Sequence, residues 1–307
     1  MSGEGSENQL IEEINLLRQQ KNAVILAHYY QPGEIQDIAD FVGDSLQLAQ
    51  KAAATEADVI VFCGVQFMAE SAAILSPNKI VLLPEPSAGC PMADMIDASE
   101  LREEKAKLPG VKVVCYVNSS AEVKAESDVC CTSSNAEKVI ASLEGEDILF
   151  VPDGNLGKYV AAKTNRFIHP WSGFCPTHHR LKKEDVSKRR KQHPGVKVLV
   201  HPECREEVWR EADYVGSTAG IIKYAETSPD KQFIIGTESG ISHELKKRCP
   251  NKDFYFVTDN MICPNMKKNS LQKVRDSLLY LSPRITVSQE IREKAIDALE
   301  KMLAVTN

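Results

Sequence analysis

Four Cys-Pro dipeptides mark the 307-residue chain: Cys90-Pro91, Cys175-Pro176, Cys249-Pro250 and Cys263-Pro264. Thiolates are nucleophiles and soft metal ligands, so the way they group decides the chemistry. A repeat of polar residues sorts them. His28, Asp40 and Ser45 recur as Tyr116, Asp128 and Ser133, then as His201, Asp213 and Thr218, with offsets of 12 and 5 each time. The starts lie 88 and then 85 residues apart. Cys90, Cys175 and Cys263 follow them by 62, 59 and 62 residues, so each segment delivers one cysteine. Cys249 instead stands 48 residues after His201, where the first segment has Ser76. Ser-Pro-Asn-Lys there matches Cys-Pro-Asn-Lys here, a helix-ending turn, so Cys249 reads as structural. Cys63, Cys115, Cys130, Cys131 and Cys204 read as small packing residues.

Three converging thiolates admit two kinds of centre. A structural zinc site needs four ligands at short spacing, and the chain has no Cys-x-x-Cys. A catalytic zinc with mixed ligands stays open, because His178 follows Cys175 by three residues. An iron–sulfur cluster is the other choice; a [4Fe–4S] cluster held by three cysteines leaves one iron open to act as a Lewis acid. That is dehydratase or lyase chemistry rather than electron transfer.

The polar residues that recur with the cysteines could serve such a site. Ser45, Ser133, Ser217 and Thr218 offer hydroxyls near helix starts, which suits carboxylate or phosphate binding as well as capping. His28, His178 and His201 can bind anions or carry protons. Glu203, two residues after His201, shares a face with it if the stretch is extended, making the two a base pair for deprotonation. Tyr30 and Tyr116 can donate hydrogen bonds. Lys267 and Lys268 could attract phosphate, whereas His169 and His179 read as structural.

Something must bring these residues together. Each segment has a first apolar strand ending in its polar residue, a second (VIVFCG at 59, ILFVPDG at 148, FIIGTESG at 233) and a third (IVLLPE at 80, FIHP at 167, FYFVT at 254) leading to Cys-Pro. Continuous β-branched runs indicate strands covered on both faces, and the helical stretches between them indicate βαβ units. The expected fold is α/β: three pseudo-equivalent three-layer α/β/α domains with short parallel sheets around a central site. Sites in such sheets lie beyond the carboxyl ends of the strands. The expected domains are 9–90 with 264–307, then 91–175, then 176–263. A helix from Leu10 to Gln20 and two final helices, Asn269 to Leu281 and Gln289 to Leu303, are expected on the first unit, and Met1 to Asn8 as a frayed tail.

Composition excludes some functions. With 43% hydrophobic and 26% charged residues the chain can build an ordinary globular core. A formal charge of −6 argues against nucleic-acid binding. There is no membrane-length apolar run and no secretory n-region, so a cytoplasmic location is expected. Nine cysteines in a reducing compartment are expected to be structural, catalytic or metal-bound.

The motifs AHYYQPGEIQDIADFVGDSLQLA, GVQFMAES, CPMA, YVNSSAEVKAESDVCCTSSNA, PDGNLGKYVA, GFCPTHH, HPEC, ADYVGST, GTESG and MKKN span nearly the whole chain. They resemble the quinolinate synthase family, the NadA-type enzymes of NAD biosynthesis. The resemblance implies three pseudo-equivalent domains around a three-cysteine [4Fe–4S] cluster. It implies condensation of iminoaspartate with dihydroxyacetone phosphate to quinolinate, phosphate and two waters. L-aspartate oxidase or aspartate dehydrogenase would supply the iminoaspartate. By motif, Cys90, Cys175 and Cys263 would be the cluster ligands. His28, Tyr30 and Ser45 match the first-segment site, Tyr116, Asn118 and Ser133 the second, with His178 after the second cysteine. His201, Glu203, Ser217 and Thr218 match the third. Some members carry Cys-x-x-Cys-x-x-Cys at the third ligand; Cys263 has no such neighbours, so thiol–disulfide control is not implied. The diphthamide-synthesis proteins, the reductase that ends the methylerythritol phosphate pathway, and a non-catalytic iron–sulfur sensor share only the plan of one cysteine per segment.

Overall fold

The computed structural model describes residues 2–305 except 144 and 146. Among the described residues, twelve short strands form three separate four-stranded sheets, all parallel. The first holds β1 (Ala23–His28), β2 (Phe41–Gly43), β3 (Val59–Cys63) and β4 (Ile80–Leu82). The second holds β5 (Lys112–Tyr116), β6 (Val129–Cys131), β7 (Ile148–Val151) and β8 (Ile168–Pro170). The third holds β9 (Lys197–Val200), β10 (Tyr214–Val215), β11 (Gln232–Gly236) and β12 (Asp253–Phe256). The orders β2-β1-β3-β4, β6-β5-β7-β8 and β10-β9-β11-β12 are one topology used three times. Helices flank the sheets, so the expected α/β class with three α/β/α units is what the chain forms.

The edge strands β2, β6 and β10 were not expected from the sequence. They are two or three residues long, too short to show a period, and lie inside the repeated Asp-to-Ser/Thr stretch. The repeated aspartates explain why they pair. Asp40 Oδ2 accepts from Ile25 N at 2.8 Å, Asp128 Oδ2 from Val113 N at 2.8 Å, and Asp213 Oδ2 from Val198 N at 2.7 Å. Each aspartate thus ties its edge strand to the amino end of the neighbouring strand.

The first and third sheets each turn one face to a shared core, as the period of two requires, whereas the second sheet lies within it with residues of both faces, Val113 and Val114 among them. Leu26, Ile60, Val114, Phe150, Leu199 and Ile235 lie in it. The alternate residues Ile25 and Val61 pack instead against Ile14 and Val274, and Val198 and Ile234 against Leu181 and Val208.

The helix expected from Leu10 to Gln20 forms, within Ser2–Gln20; the start of the expected frayed tail, Met1, lies outside the described residues. The helix Leu271–Tyr280 packs on this first helix and on β3, as expected. The last helix, Gln289–Ala304, differs from expectation. It buries Ala295, Ala298, Leu299 and Met302 chiefly against the helix Ala121–Ala125 and β6 of the second unit, and also touches the helix Gln66–Leu75 of the first. Asn135 Nδ2 donates to Met302 O at 3.1 Å to anchor it. The apolar stripe of this helix was legible in sequence, but its partner was not.

Candidate active site

The strand order turns back at β1, β5 and β9, so loops diverge there and leave a crevice at the carboxyl ends. The three crevices face one another. Their common cavity, about 170 Å³, is lined by His28, Tyr30 and Ser45, by Tyr116, Asn118 and Ser133, by His178, His201, Glu203 and Thr218, and by Cys90, Cys175 and Cys263. The expected residues therefore converge, with the exception of Ser217, which lies behind the wall. Ser217 caps the helix Thr218–Thr227, accepting from Gly220 N at 3.1 Å. Ser45 and Thr218 are the first helical residues, one step past the caps Asp44 and Ser217. Their hydroxyls are thereby left to the cavity. Ser134 Oγ, 2.7 Å from both Asp44 Oδ2 and Ser217 Oγ, joins the three segments beside it.

The role of proline after each cysteine is local. Pro176 is the first residue of the short helix Pro176–His179, with Cys175 as its cap residue. Pro91 and Pro264 precede the 3-10 turns Ala93–Met95 and Asn265–Lys267. Proline suits a first turn because its missing N–H is not needed there. The later amides of each turn then point back at the sulfur: Met92 and Ala93 at Cys90, His178 at Cys175, and Asn265 and Met266 at Cys263. Burial pushes the Cys90 thiol up to about 12 and those of Cys175 and Cys263 up as well, while these amides favour the thiolate. Buried thiols aimed at one cavity, with amides directed at sulfur, fit a thiolate-bound metal centre. Among the described residues, the group whose donor atoms all lie within 4.8 Å of one another is Cys175, His178 and Glu203. Cys90 and Cys263 stand farther off. Cys90, Cys175 and Cys263 all line the cavity, so three thiols are available there to a metal centre.

Glu203 is the electrostatic centre. It is 4% exposed, yet each oxygen has a partner: Tyr116 OH donates to Oε1 at 2.6 Å, and His178 Nδ1 lies 2.6 Å from Oε2. Burial pushes its carboxyl up, but the imidazoles of His201 and His178 and the hydrogen bonds from His178 and Tyr116 prevail, holding it below the usual range. The expected neighbours Glu203 and His201 do meet, but not on one face of an extended stretch. His201 Nδ1 is 3.7 Å from Oε2, because residues 201–204 form a turn rather than an extended stretch. In that turn His201 Nδ1 accepts from Glu203 N at 3.3 Å, which leaves Nε2 to reach Ser133 Oγ at 3.2 Å. Burial lowers His201 to about 3, against the pull of Glu203, and His28 to about 3, aided by Lys267 and His201, so both are neutral at pH 7.

Tyr30 OH sits 2.7 Å from both Thr218 Oγ1 and Thr237 Oγ1, and Thr237 Oγ1 lies 2.9 Å from His178 Nε2. Burial and Glu203 raise the phenols of Tyr30 and Tyr116 well above their ordinary value, so both act as neutral donors. Asn118 Oδ1 is buried without a partner at the cavity wall, an acceptor available to a ligand.

Sequence reading missed Thr237, Glu238, Asp153, Asn155 and Arg180. The motifs GTESG and PDGN were the available signals, and Arg180 lay just past GFCPTHH. Lys267 does not face the cavity: its Nζ bonds Tyr30 O and Glu238, while Lys268 Nζ bonds Ser87 O. Arg180, held by Asn260 O at 2.9 Å, brings the permanent positive charge among the described lining residues. The cysteines set aside earlier are buried in packing roles, with Cys249 closing the helix Ile241–Arg248. His179 stacks on Phe174.

A family model described as quinolinate synthetase A protein matches residues 12–304. The chain belongs to the quinolinate synthetase A family. It is 56% identical to a quinolinate synthase of Methanosarcina barkeri (strain Fusaro / DSM 804) over 297 residues, covering 97% of this chain and 98% of that one. It is 56% identical to a quinolinate synthase of Alkaliphilus metalliredigens (strain QYMF), covering 98% and 99%. A quinolinate synthase of Dehalococcoides mccartyi (strain ATCC BAA-2266 / KCTC 15142 / 195) is also 56% identical, covering 94% and 96%. Membership makes the chain an enzyme and accounts for a cavity rich in donors and acids. No helix among the described residues is long and apolar enough to cross a membrane.

Proposed function

We propose that this enzyme condenses iminoaspartate with dihydroxyacetone phosphate to give quinolinate, phosphate and two waters, as a cytoplasmic step of NAD biosynthesis. The observation that carries this reading is the meeting of Cys90, Cys175 and Cys263, one per segment, in the cavity that also holds Glu203. In it the three thiolates hold a [4Fe–4S] cluster. When bound, the cluster supplies an iron with an open position, a Lewis acid toward a substrate hydroxyl or carboxylate.

The chain's own residues do the rest. Glu203, ionised at neutral pH, is the base that takes protons as the chain isomerises and the ring closes. Tyr116 and His178 fix its two oxygens, so it acts from a set position. Neutral His201, stacked on His178 with ring centroids 4.7 Å apart, holds the Ser133 hydroxyl through Nε2 and so orients it in the cavity. Tyr30 donates to developing negative charge. Ser45, Ser133, Thr218 and His28 donate to the carboxylates, Asn118 does so through its Nδ2 amide, and Arg180 adds charge for the phosphate. Ser217 contributes through the helix it caps. L-aspartate oxidase or aspartate dehydrogenase supplies the unstable imine.

The test is an anaerobic quinolinate assay on Glu203→Gln. The amide keeps the size of the side chain and removes the base, so kcat falls about 10²- to 10⁴-fold with the iron content unchanged. Wild-type turnover in Glu203→Gln removes the base assignment. Wild-type activity in a Cys90→Ala protein removes the cluster reading.

A further inference from the structure

The strand preceding each cysteine loop is joined to it in the same way three times. Gln66 N donates to Ala88 O at 2.8 Å, Gly154 N to Gly173 O at 2.8 Å, and Ser239 N to Met261 O at 2.7 Å. Each acceptor stands two residues before its cysteine. Each donor follows the end of β3, β7 or β11 by the same count, since Cys63, Val151 and Gly236 pair with Ala27, Cys115 and Val200. The residues just before the donors are therefore equivalent: Val65, Asp153 and Glu238. Two of these are carboxylates with no exposure at all, and neither is used in the chemistry above.

Both carboxylates face the amide of their own segment's cysteine. Glu238 Oε1 accepts from Cys263 N at 3.1 Å. Its Oε2 accepts from Gly240 N at 2.6 Å, and Lys267 Nζ, 3.0 Å from Oε1, neutralises it. Asp153 Oδ1 accepts from Asn155 N and Leu156 N at 2.8 and 3.0 Å. The Cys175 amide lies near this carboxyl group without hydrogen-bonding to it, and Oδ2 is buried with no hydrogen-bond partner. The packing leaves no slack beside it: a Cβ on Gly154 would lie 2.3 Å from Trp171 O, and one on Gly173 would lie 2.5 Å from Pro152 O. Valine at the first-segment position has no acceptor to offer Cys90.

We propose that Asp153 and Glu238 are positioning residues for the metal centre, each fixing the direction of its segment's thiolate through the backbone amide of Cys175 or Cys263. Cys90, in the first segment, has valine where the other two have a carboxylate. The inference rests on the reading of the cysteines as cluster ligands. Its geometric half, that each carboxylate restrains one named cysteine, is testable without any metal.

The experiment is peptide-resolved alkylation of the full-length apo-protein by N-ethylmaleimide, beside release of iron to a chelator from anaerobically reconstituted protein. Glu238→Ala is expected to raise the alkylation rate of Cys263 about tenfold, and Asp153→Ala that of Cys175, each leaving Cys90 unchanged. Val65→Ala leaves all three near the wild-type rate. Glu238→Gln, which keeps an oxygen for the amide, holds Cys263 within about twofold of wild type. In reconstituted protein both alanine variants release iron about tenfold faster. A uniform rise over all nine cysteines, or no rise, overturns the proposal. So does a tenfold rise at Cys263 in Glu238→Gln, which stays informative if the alanine proteins do not fold. Wild-type protein that takes up no iron removes the cluster reading instead, while the alkylation pattern still decides the positioning role.

Discussion

Two of the three sets of polar residues that recur in this chain at identical spacing have opposite fates. His28, Tyr116 and His201 stand at the carboxyl ends of β1, β5 and β9 and meet in one cavity. Asp40, Asp128 and Asp213 stand at the amino side of the edge strands, one in each sheet. Each accepts a backbone amide of the adjacent strand and pairs with a surface cation: Arg18 at 2.7 Å, Lys112 at 3.5 Å and Arg190 at 2.7 Å. Repetition alone therefore does not separate site from scaffold. Strand direction does, because parallel strands send all their carboxyl ends to one side.

The comparison can be broken most sharply at Tyr116. Tyr116→Phe removes the donor to Glu203 Oε1 and leaves a buried carboxylate oxygen unpaired; kcat should fall about 10- to 100-fold in the anaerobic assay. Unchanged turnover would place Tyr116 with the scaffold set.

A pH experiment sharpens the contrast. His28 and His201, about 3 in the folded chain against 6.5 when exposed, bind fewer protons folded than unfolded between those values. Stability is fully present above pH 6.5 and falls as pH drops below it, by up to about 2 kcal/mol per histidine at pH 5. Urea melts of the apo-protein at pH 7 and pH 5 measure this, and His28→Asn should flatten the dependence.

At the scaffold positions the effects are smaller and of another kind. Asp213→Ala frees the Val198 amide and costs about 1–2 kcal/mol in urea melts, with kcat and KM unchanged. A selective loss of kcat there would move the aspartates into the site. Arg18→Ala removes only a partly exposed ion pair and costs about 1 kcal/mol or less.

Much of the fold was legible in sequence because its signals are local. Apolar runs marked nine of the twelve strands, and the spacing after each picked out three cysteines from four Cys-Pro pairs. Strands β2, β6 and β10 escaped because two or three residues carry no periodicity. The Glu203–His178 pair escaped because the partners lie 25 positions apart in sequence, and a turn at 201–204 replaced the assumed extension. Asp153 and Glu238 escaped because a buried carboxylate in a Gly-rich loop looks like a turn residue until its amide partner is seen.

By itself the sequence determined three α/β segments, the cysteine each one brings, and the polar residue at each leading strand end. These follow from hydrophobic period and strand polarity, which act within a few residues. Only the tertiary structure decided that the three ends face one cavity, that Glu203 is held by Tyr116 and His178, and that the last helix crosses to the second unit. Those outcomes depend on how three sheets close on a shared core, and no spacing along one chain encodes the angle at which separate sheets pack.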